Sequence, residues 1–161
     1  MKPEFTSLVQ VGVLVKDVDK AVRYYEEVFG MGPCDRGEMN AAFIPTGDMT
    51  IDGKPAEGLI SKVAMLDVNG IEIELIQPVA DTPYMRWLEK HGNGIHHVSL
   101  KSPTPYEELR EKVEKLTGRP HFMTISYCNG MMGLTYLDLT EELGLIVEAF
   151  PSSAGDEFDF E

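Results

Sequence analysis

Alternating apolar and polar positions near the N-terminus predict a strand that leads into an amphipathic helix. In segment 9–15 one face carries Val9, Val11, Val13 and Val15, and the other carries Gln10, Gly12 and Leu14. This period of two is typical of a strand with one face on a core. Asp17 is a predicted N-cap, apolar residues then recur at helical spacing, and Gly30 ends the predicted helix.

The second half of the chain repeats this order of elements. Its strand segment, IHHVSL at 95–100, precedes TPYEELREKVEKLTG, which predicts a helix that opens with a capping box at 104–107 and ends at Gly118. Each half then closes on an apolar strand with an embedded glutamate, Glu74 in IEIELIQP and Glu148 in GLIVEAFP. A repeat of this kind predicts a two-fold scaffold in which equivalent positions converge on one site.

A hairpin and a connecting helix are predicted between the two copies. Asn69-Gly70, between the apolar segments 61–68 and 71–77, is a strong signal for a tight hairpin turn. Thr82-Pro83 then provides a capping residue followed by proline at the first helical position. The predicted connecting helix covers about 82–90.

The remaining segments predict a fold of the α+β class. Three further strands are expected near 121–127, 132–138 and 143–149, and residues 35–57 predict a strand with a long connection. Because two long helices are too few to cover a large parallel sheet, the sheet is predicted to be mostly antiparallel. Two tandem βαβββ modules, at about 8–78 and 95–151, then form a single domain over 1–161, with a mobile acidic tail at 152–161.

Composition and charge narrow the classes of function. The 161 residues, 43% of them hydrophobic, suit one domain. A net charge of −13 argues against nucleic-acid binding, which needs a basic face. The sequence has no apolar run that predicts a membrane span or a signal peptide, so we expect a cytoplasmic protein. Cys34 and Cys128 fit no metal spacing and are expected to be reduced thiols.

Polar residues at equivalent positions of the two copies are the candidate site. Superposing the copies places Gln10 opposite His97 and Glu74 opposite Glu148. Strand parity distinguishes the adjacent histidines, because His96 aligns with the core-facing Val9 whereas His97 aligns with Gln10. Burying a lone carboxylate costs several kcal/mol, so we expect a cation, a metal or hydrogen-bond donors beside each glutamate.

One glutamine, one histidine and two glutamates make a mixed oxygen and nitrogen ligand set. Such a set suits a divalent ion such as Zn, Mn, Co or Ni and leaves positions for water or substrate. A structural alternative stays open for each residue alone. Gln10 and Glu74 are also compatible with a solvated sheet face, and a lone histidine is more often a satisfied hydrogen-bonding residue than a ligand.

The segments VQVGVLVKDVDKAVRYYEEVFG, IEIELIQP and GIHHVSL resemble the vicinal-oxygen-chelate superfamily, which includes glyoxalase I, methylmalonyl-CoA epimerase, ring-cleaving dioxygenases and bleomycin-resistance proteins. The resemblance covers roughly residues 8–151. It implies a sheet that curls around a central metal cavity. It also implies that the metal ligands are Gln10, Glu74, His97 and Glu148.

Within the superfamily, the chain most resembles two members. The stretch TPYMRWLEKHGNGIHH resembles methylmalonyl-CoA epimerase, although that resemblance predicts a histidine at the position of Gln10. Glutamine at this position resembles the zinc-type glyoxalase I. The resemblance to the epimerases further implies a glutamate acid/base just before the third strand, for which Glu57 is the nearest match.

The implied activity is proton abstraction next to a carbonyl by a divalent-metal-dependent isomerase, epimerase or lyase. Glu148 would be the base and Glu57 the acid/base on the opposite face. The expected substrate is an acyl-CoA thioester, or the glutathione hemithioacetal of a glyoxalase I-like lactoylglutathione lyase. The alternative from another functional class is a metal-free protein that binds a small molecule or confers resistance. We also expect a homodimer, because an open sheet has edges that a second chain can cover.

Overall fold

The computed structural model describes residues 5–39, 49–51, 54–55, 61–119, 123–127 and 132–151. Glu57 and the predicted tail at 152–161 lie outside these residues. In chain order the described elements are β1 (Ser7–Leu14), α1 (Val18–Phe29), β2 (Asp35–Met39), β3 (Met49–Ile51), β4 (Lys54–Pro55), β5 (Ser61–Val68), β6 (Ile71–Pro78), α2 (Pro83–His91), β7 (Gly94–Ser102), α3 (Tyr106–Thr117), β8 (Met123–Tyr127), β9 (Met132–Leu139), α4 (Thr140–Leu143) and β10 (Leu145–Pro151).

This order confirms the predicted α+β fold with two strand–helix–strands modules and a connecting helix, α2. The chain divides into two compact units. The described residues within Val9–Phe43 and Gly58–Val98 form the first, which we call the Gln10 unit. The other described residues form the second, which we call the Glu148 unit. None of the described helices combines the length and the apolar character that a membrane span requires.

The sheet of the Gln10 unit has the strand order β2-β5-β6-β1-β7. Strands β5 and β6 form the predicted antiparallel hairpin, and its turn residues Asn69 and Gly70 both have positive φ, 54° and 84°. These angles are those of a type I′ turn, which explains the Asn-Gly sequence. Strands β1 and β6 are parallel, with Gly12 paired to Glu74.

Helix α1 covers one face of this sheet. Its N-cap Asp17 accepts a hydrogen bond from the backbone N of Lys20 at 2.9 Å, and Gly30 ends the helix in the left-handed conformation. The packed core consists of Val15, Val18, Val22, Ala64 and Leu75. Because side chains alternate along a strand, Gly12 on β1 and Glu74 on β6, which adjoin the core-facing Val13 and Leu75, lie on the other face, away from α1.

The sheet of the Glu148 unit has the order β10-β9-β8-β3-β4. Strands β10, β9, β8 and β3 pair antiparallel in succession, and Glu148 is paired with Tyr136. Strand β3 therefore extends the sheet of the second half although it belongs to the predicted long connection at 35–57. The pairing of Met49–Ile51 with β8 is not predictable from so short a segment.

The start of one helix and the presence of another differ from the sequence prediction. Helix α3 begins at Tyr106 with Pro105 at the N-cap and no side-chain capping bond, so the predicted capping box at 104–107 is wrong. Thr104 instead donates its backbone N–H to Ser102 Oγ at 3.0 Å. The short helix α4 was not predicted, and Arg119 holds it through bonds of 2.9 and 2.8 Å to Glu141 and Glu142.

Candidate metal and proton-transfer site

His97 and Glu74 meet on the face of the Gln10 unit that α1 does not cover. Both are buried, with 1% and 5% of their surface exposed, and His97 Nε2 lies 3.7 Å from Glu74 Oε2. They come from β7 and β6, which are separated in the sheet by β1. The structure thus brings together two of the four residues that the sequence predicts as metal ligands.

Gly12, on the intervening strand β1, makes this approach possible. A Cβ atom added to Gly12 would lie 2.0 Å from His97 Cε1, 2.3 Å from Nε2 and 2.5 Å from Nδ1. The imidazole ring therefore occupies the space of a missing side chain. Sequence reasoning did not assign a role to Gly12, although a glycine inside a strand signals a close approach of this kind.

The imidazole of His97 is neutral at physiological pH. Burial, with a smaller contribution from the neighbouring His96, lowers the pKa of His97 from 6.5 to about 3. A neutral imidazole keeps a lone pair on one ring nitrogen, which is the form that binds a metal ion. Burial and charge state together make His97 suitable as a nitrogen ligand.

Aromatic side chains of α2 pack around the two histidines. Tyr84 meets the ring of His96 edge-on at 5.0 Å and lies nearly parallel to the ring of His97 at 6.4 Å. Trp87 contacts His96 edge-on at 5.4 Å. The predicted connecting helix thus forms an aromatic wall beside the candidate ligand.

Gln10 is hydrogen-bonded to Glu72, a residue outside the predicted set of metal ligands. Its Nε2 donates a hydrogen bond to Glu72 Oε1 at 2.5 Å, and the two residues are paired between β1 and β6. The amide nitrogen is therefore the end of Gln10 that faces Glu72. Sequence reasoning missed Glu72, whose signal was its position two residues before Glu74 on the same strand face.

Glu148 is buried in the Glu148 unit with 3% of its surface exposed. The Ser99 hydroxyl donates a hydrogen bond to Glu148 Oε2, and Ser99 is itself fully buried. This bond provides the donor that a buried carboxylate requires. Ser99 was also missed in the sequence, where its position two residues after His97 places it on the same face of β7.

The donor atoms of the Gln10 unit fit a divalent ion. A separation of 3.7 Å between His97 Nε2 and Glu74 Oε2 is longer than a hydrogen bond. It admits an ion with bonds of about 2.0–2.2 Å to each atom at a bent angle. Among the described residues, no three His, Cys, Asp or Glu side chains cluster as a metal site. The pair therefore supplies part of a ligand set.

Comparison with known proteins agrees with this fold. "Uncharacterized protein YqjC" of Bacillus subtilis (strain 168) is 28% identical over 101 residues, 62% of this chain and 60% of that protein. The match thus spans less than two thirds of that relative. Methylmalonyl-CoA epimerase from Mycobacterium tuberculosis has a TM-score of 0.60 at 18% identity, with 94% of this chain and 91% of that chain covered.

A second similar structure is Streptomyces coelicolor methylmalonyl-CoA epimerase in complex with 2-nitronate-propionyl-CoA. Its TM-score is 0.61 at 19% identity, with 93% of this chain and 96% of that chain covered. At these identities the similarity concerns the fold alone. The family model for the Glyoxalase/Bleomycin resistance protein/Dioxygenase superfamily matches residues 9–119. The chain therefore belongs to the glyoxalase/bleomycin resistance protein/dioxygenase superfamily, as its sequence motifs indicate.

Proposed function

We propose that the protein is a divalent-metal-dependent isomerase, epimerase or lyase that removes a proton next to a carbonyl. The leading reaction is epimerisation of an acyl-CoA thioester of the methylmalonyl-CoA type. The observation that carries this proposal is the approach of the buried, neutral His97 to the buried Glu74. The structural similarity to methylmalonyl-CoA epimerases supports the choice of reaction.

Four side chains would hold the ion, which we propose to be Zn, Co, Ni or Mn. They are Gln10, Glu74, His97 and Glu148. His97 would bind through a ring nitrogen, and the others through oxygen. When bound, the ion would polarise the substrate carbonyl and so acidify the adjacent C–H group.

Glu148 would accept the proton from the substrate carbon. The Ser99 hydroxyl engages Oε2 of this carboxylate, which leaves Oε1 to bind the ion or, when released from it, to accept the proton. Burial of Glu148 would keep bulk water away from the proton-transfer step, and the abstracted proton would exchange with solvent between turnovers. Epimerisation needs a second acid/base on the opposite face, for which we propose Glu57.

Gln10 favours a second candidate reaction, that of a glyoxalase I-like lactoylglutathione lyase. The substrate would be a glutathione hemithioacetal, and the proton would move between two neighbouring carbons. This reaction needs one base on one face, so Glu148 would be sufficient without Glu57. The two candidates therefore differ in whether substitution of Glu57 affects turnover.

We also propose that the protein is a homodimer. Exposed apolar side chains on α1, namely Tyr24, Val28 and Phe29, support this proposal. Sedimentation at micromolar concentration tests it, and a monomer would contradict it.

Turnover of two substrates by metal-loaded protein tests the proposed function. We expect one stereoisomer of methylmalonyl-CoA to be converted to an equilibrium mixture, measured by chiral chromatography. His97→Ala protein in the same metal solution is the control and should be inactive. Turnover of only the hemithioacetal of glutathione and methylglyoxal would transfer the assignment to the lyase. Absence of metal binding and of turnover would favour a metal-free binding protein.

A further inference from the structure

The rings of His96 and His97 share a hydrogen bond. Their Nδ1 atoms lie 3.0 Å apart, and the ring planes are at 86° with centroids 5.3 Å apart. A neutral imidazole carries a proton on one of its two nitrogens. One of the facing Nδ1 atoms must therefore be protonated and donate, while the other accepts.

We propose that His96 is a positioning residue that accepts the Nδ1–H of His97 and thereby directs the lone pair of His97 Nε2 toward Glu74. This inference rests on the proposed function, in which His97 binds the metal. His97 Nε2 lies 3.7 Å from Glu74 Oε2, which is too long for a hydrogen bond between these atoms. The close Nδ1 contact to His96 is the geometry that a protonated Nδ1 would have.

The surroundings of His96 hold its ring in the accepting orientation. Tyr84 and Trp87 contact the ring edge-on at interplanar angles of 81° and 79°. Trp87 is in turn stacked on His91 at 4.6 Å, near the end of α2. Because His96 is fixed on two sides by α2, it cannot rotate away from His97 without disturbing this packing.

A metal-binding histidine commonly donates its second N–H to a neighbouring acceptor, which fixes the tautomer and the ring direction. That acceptor is usually a carboxylate, a backbone carbonyl or water. Here a second imidazole would take this role. His96 would thus contribute to metal affinity without touching the ion.

The tautomer is measurable in the metal-free protein. Long-range ¹H–¹⁵N correlation spectra of protein labelled with ¹⁵N-histidine distinguish protonated from bare ring nitrogens. We expect His97 to be protonated at Nδ1 and bare at Nε2, and His96 to show the reverse. A proton on Nε2 of His97 would overturn the proposal.

Two substitutions separate the hydrogen bond from the packing. His96→Phe keeps an aromatic ring between Tyr84 and Trp87 but removes the acceptor. His96→Asn places a carboxamide oxygen at about the position of Nδ1 and restores the acceptor. We expect the Zn and Co affinity to fall about 10–100-fold in His96→Phe and to be largely recovered in His96→Asn.

His91→Phe is the matched control, since it keeps the stack on Trp87 at an exposed position and should leave the affinity unchanged. Equal losses of metal affinity in His96→Phe and His96→Asn, or no loss in either variant, would contradict the role of His96. If the wild-type protein binds none of Zn, Co, Ni and Mn, the metal in the proposed function is refuted. The spectra of the metal-free protein would still decide whether His96 sets the tautomer of His97.

Discussion

The ring of His97 fills the space above Gly12 that any other residue's side chain would occupy. Three atoms of this ring lie within 2.5 Å of the position of an added Cβ. Adjacent strands lie about 4.8 Å apart, so residues on β6 and β7 are separated by roughly twice that distance. Only a strand without a side chain at this position lets His97 reach toward Glu74.

Gly12→Ala should therefore displace His97. We expect the free energy of unfolding in urea to fall by about 1–3 kcal/mol because the added methyl group overpacks the ring. Metal affinity should fall as well, since the ring is moved from Glu74.

Gly37→Ala is the control for Gly12→Ala. It also lies in a strand, β2, and its added Cβ would make an ordinary 3.5 Å contact with Val63. This variant should be as stable as the wild type or slightly more stable, because alanine costs less backbone entropy than glycine. Equal stability of the two variants would contradict the close approach of His97 to Gly12.

Glu74 and Glu72 offer a second matched pair on one face of β6. Glu74→Gln should abolish measurable metal binding, because it replaces a charged ligand beside His97. Glu72→Gln keeps Glu74 and changes only the partner of Gln10, so its loss of metal affinity should be smaller. Isothermal titration with Zn measures both, and a larger effect at Glu72 would contradict the assignment.

The stability of the metal-free Glu74→Gln variant should be unchanged or raised. Removal of a buried negative charge relieves the cost of its desolvation. Urea unfolding in the presence of a chelator measures this effect. A marked loss of stability would show that Glu74 is a structural residue rather than a metal ligand.

Ser99→Ala removes the hydroxyl that donates to Glu148. We expect a loss of about 1.5–3 kcal/mol of stability, which is typical of a hydrogen bond to a charged group. Proton transfer should also slow, since the carboxylate loses its orientation. Ser102→Ala is the control on the same strand, because buried Ser102 accepts from the backbone N–H of Thr104 and alternation places it on the opposite face of β7 from Ser99. Equal effects of both variants on turnover would contradict the role of Ser99.

Arg119 should give the stability a weak pH dependence. Its hydrogen bond lowers the pKa of Glu142 below the ordinary value of 4.5. A carboxylate whose pKa is lowered by folding stabilises the folded state above its unfolded pKa, and this contribution is lost as the pH falls through the folded pKa. Arg119→Gln should therefore be less stable than the wild type at neutral pH. The difference should shrink below about pH 4.5, and a constant difference would contradict the ion pair.

The sequence correctly predicted several features that depend only on neighbouring residues. The cap at Asp17, the stop at Gly30 and the turn at Asn69-Gly70 each depend on neighbouring residues, and all three are present. The internal repeat also predicted that Glu74 and Glu148 occupy the last strands of their modules, as they do.

Contacts between distant strands were not predictable. The sequence contained Gly12, Glu72 and Ser99, but their roles depend on which side chain arrives from another strand. Ser99 is 49 positions from Glu148, and Glu72 is 62 positions from Gln10. No local periodicity encodes such pairs, which is why the candidate ligands were found and their supporting residues were not.

Exchange of solvent deuterium into the substrate tests the central claim most directly. Metal-loaded protein in deuterated water should incorporate deuterium at the α-carbon of methylmalonyl-CoA, measured by mass spectrometry. Glu148→Gln should reduce the incorporation to the uncatalysed rate and should weaken metal binding less completely than it weakens proton transfer. Incorporation that persists in Glu148→Gln, or none in wild-type protein shown to hold its metal, would contradict proton abstraction by Glu148 from this substrate.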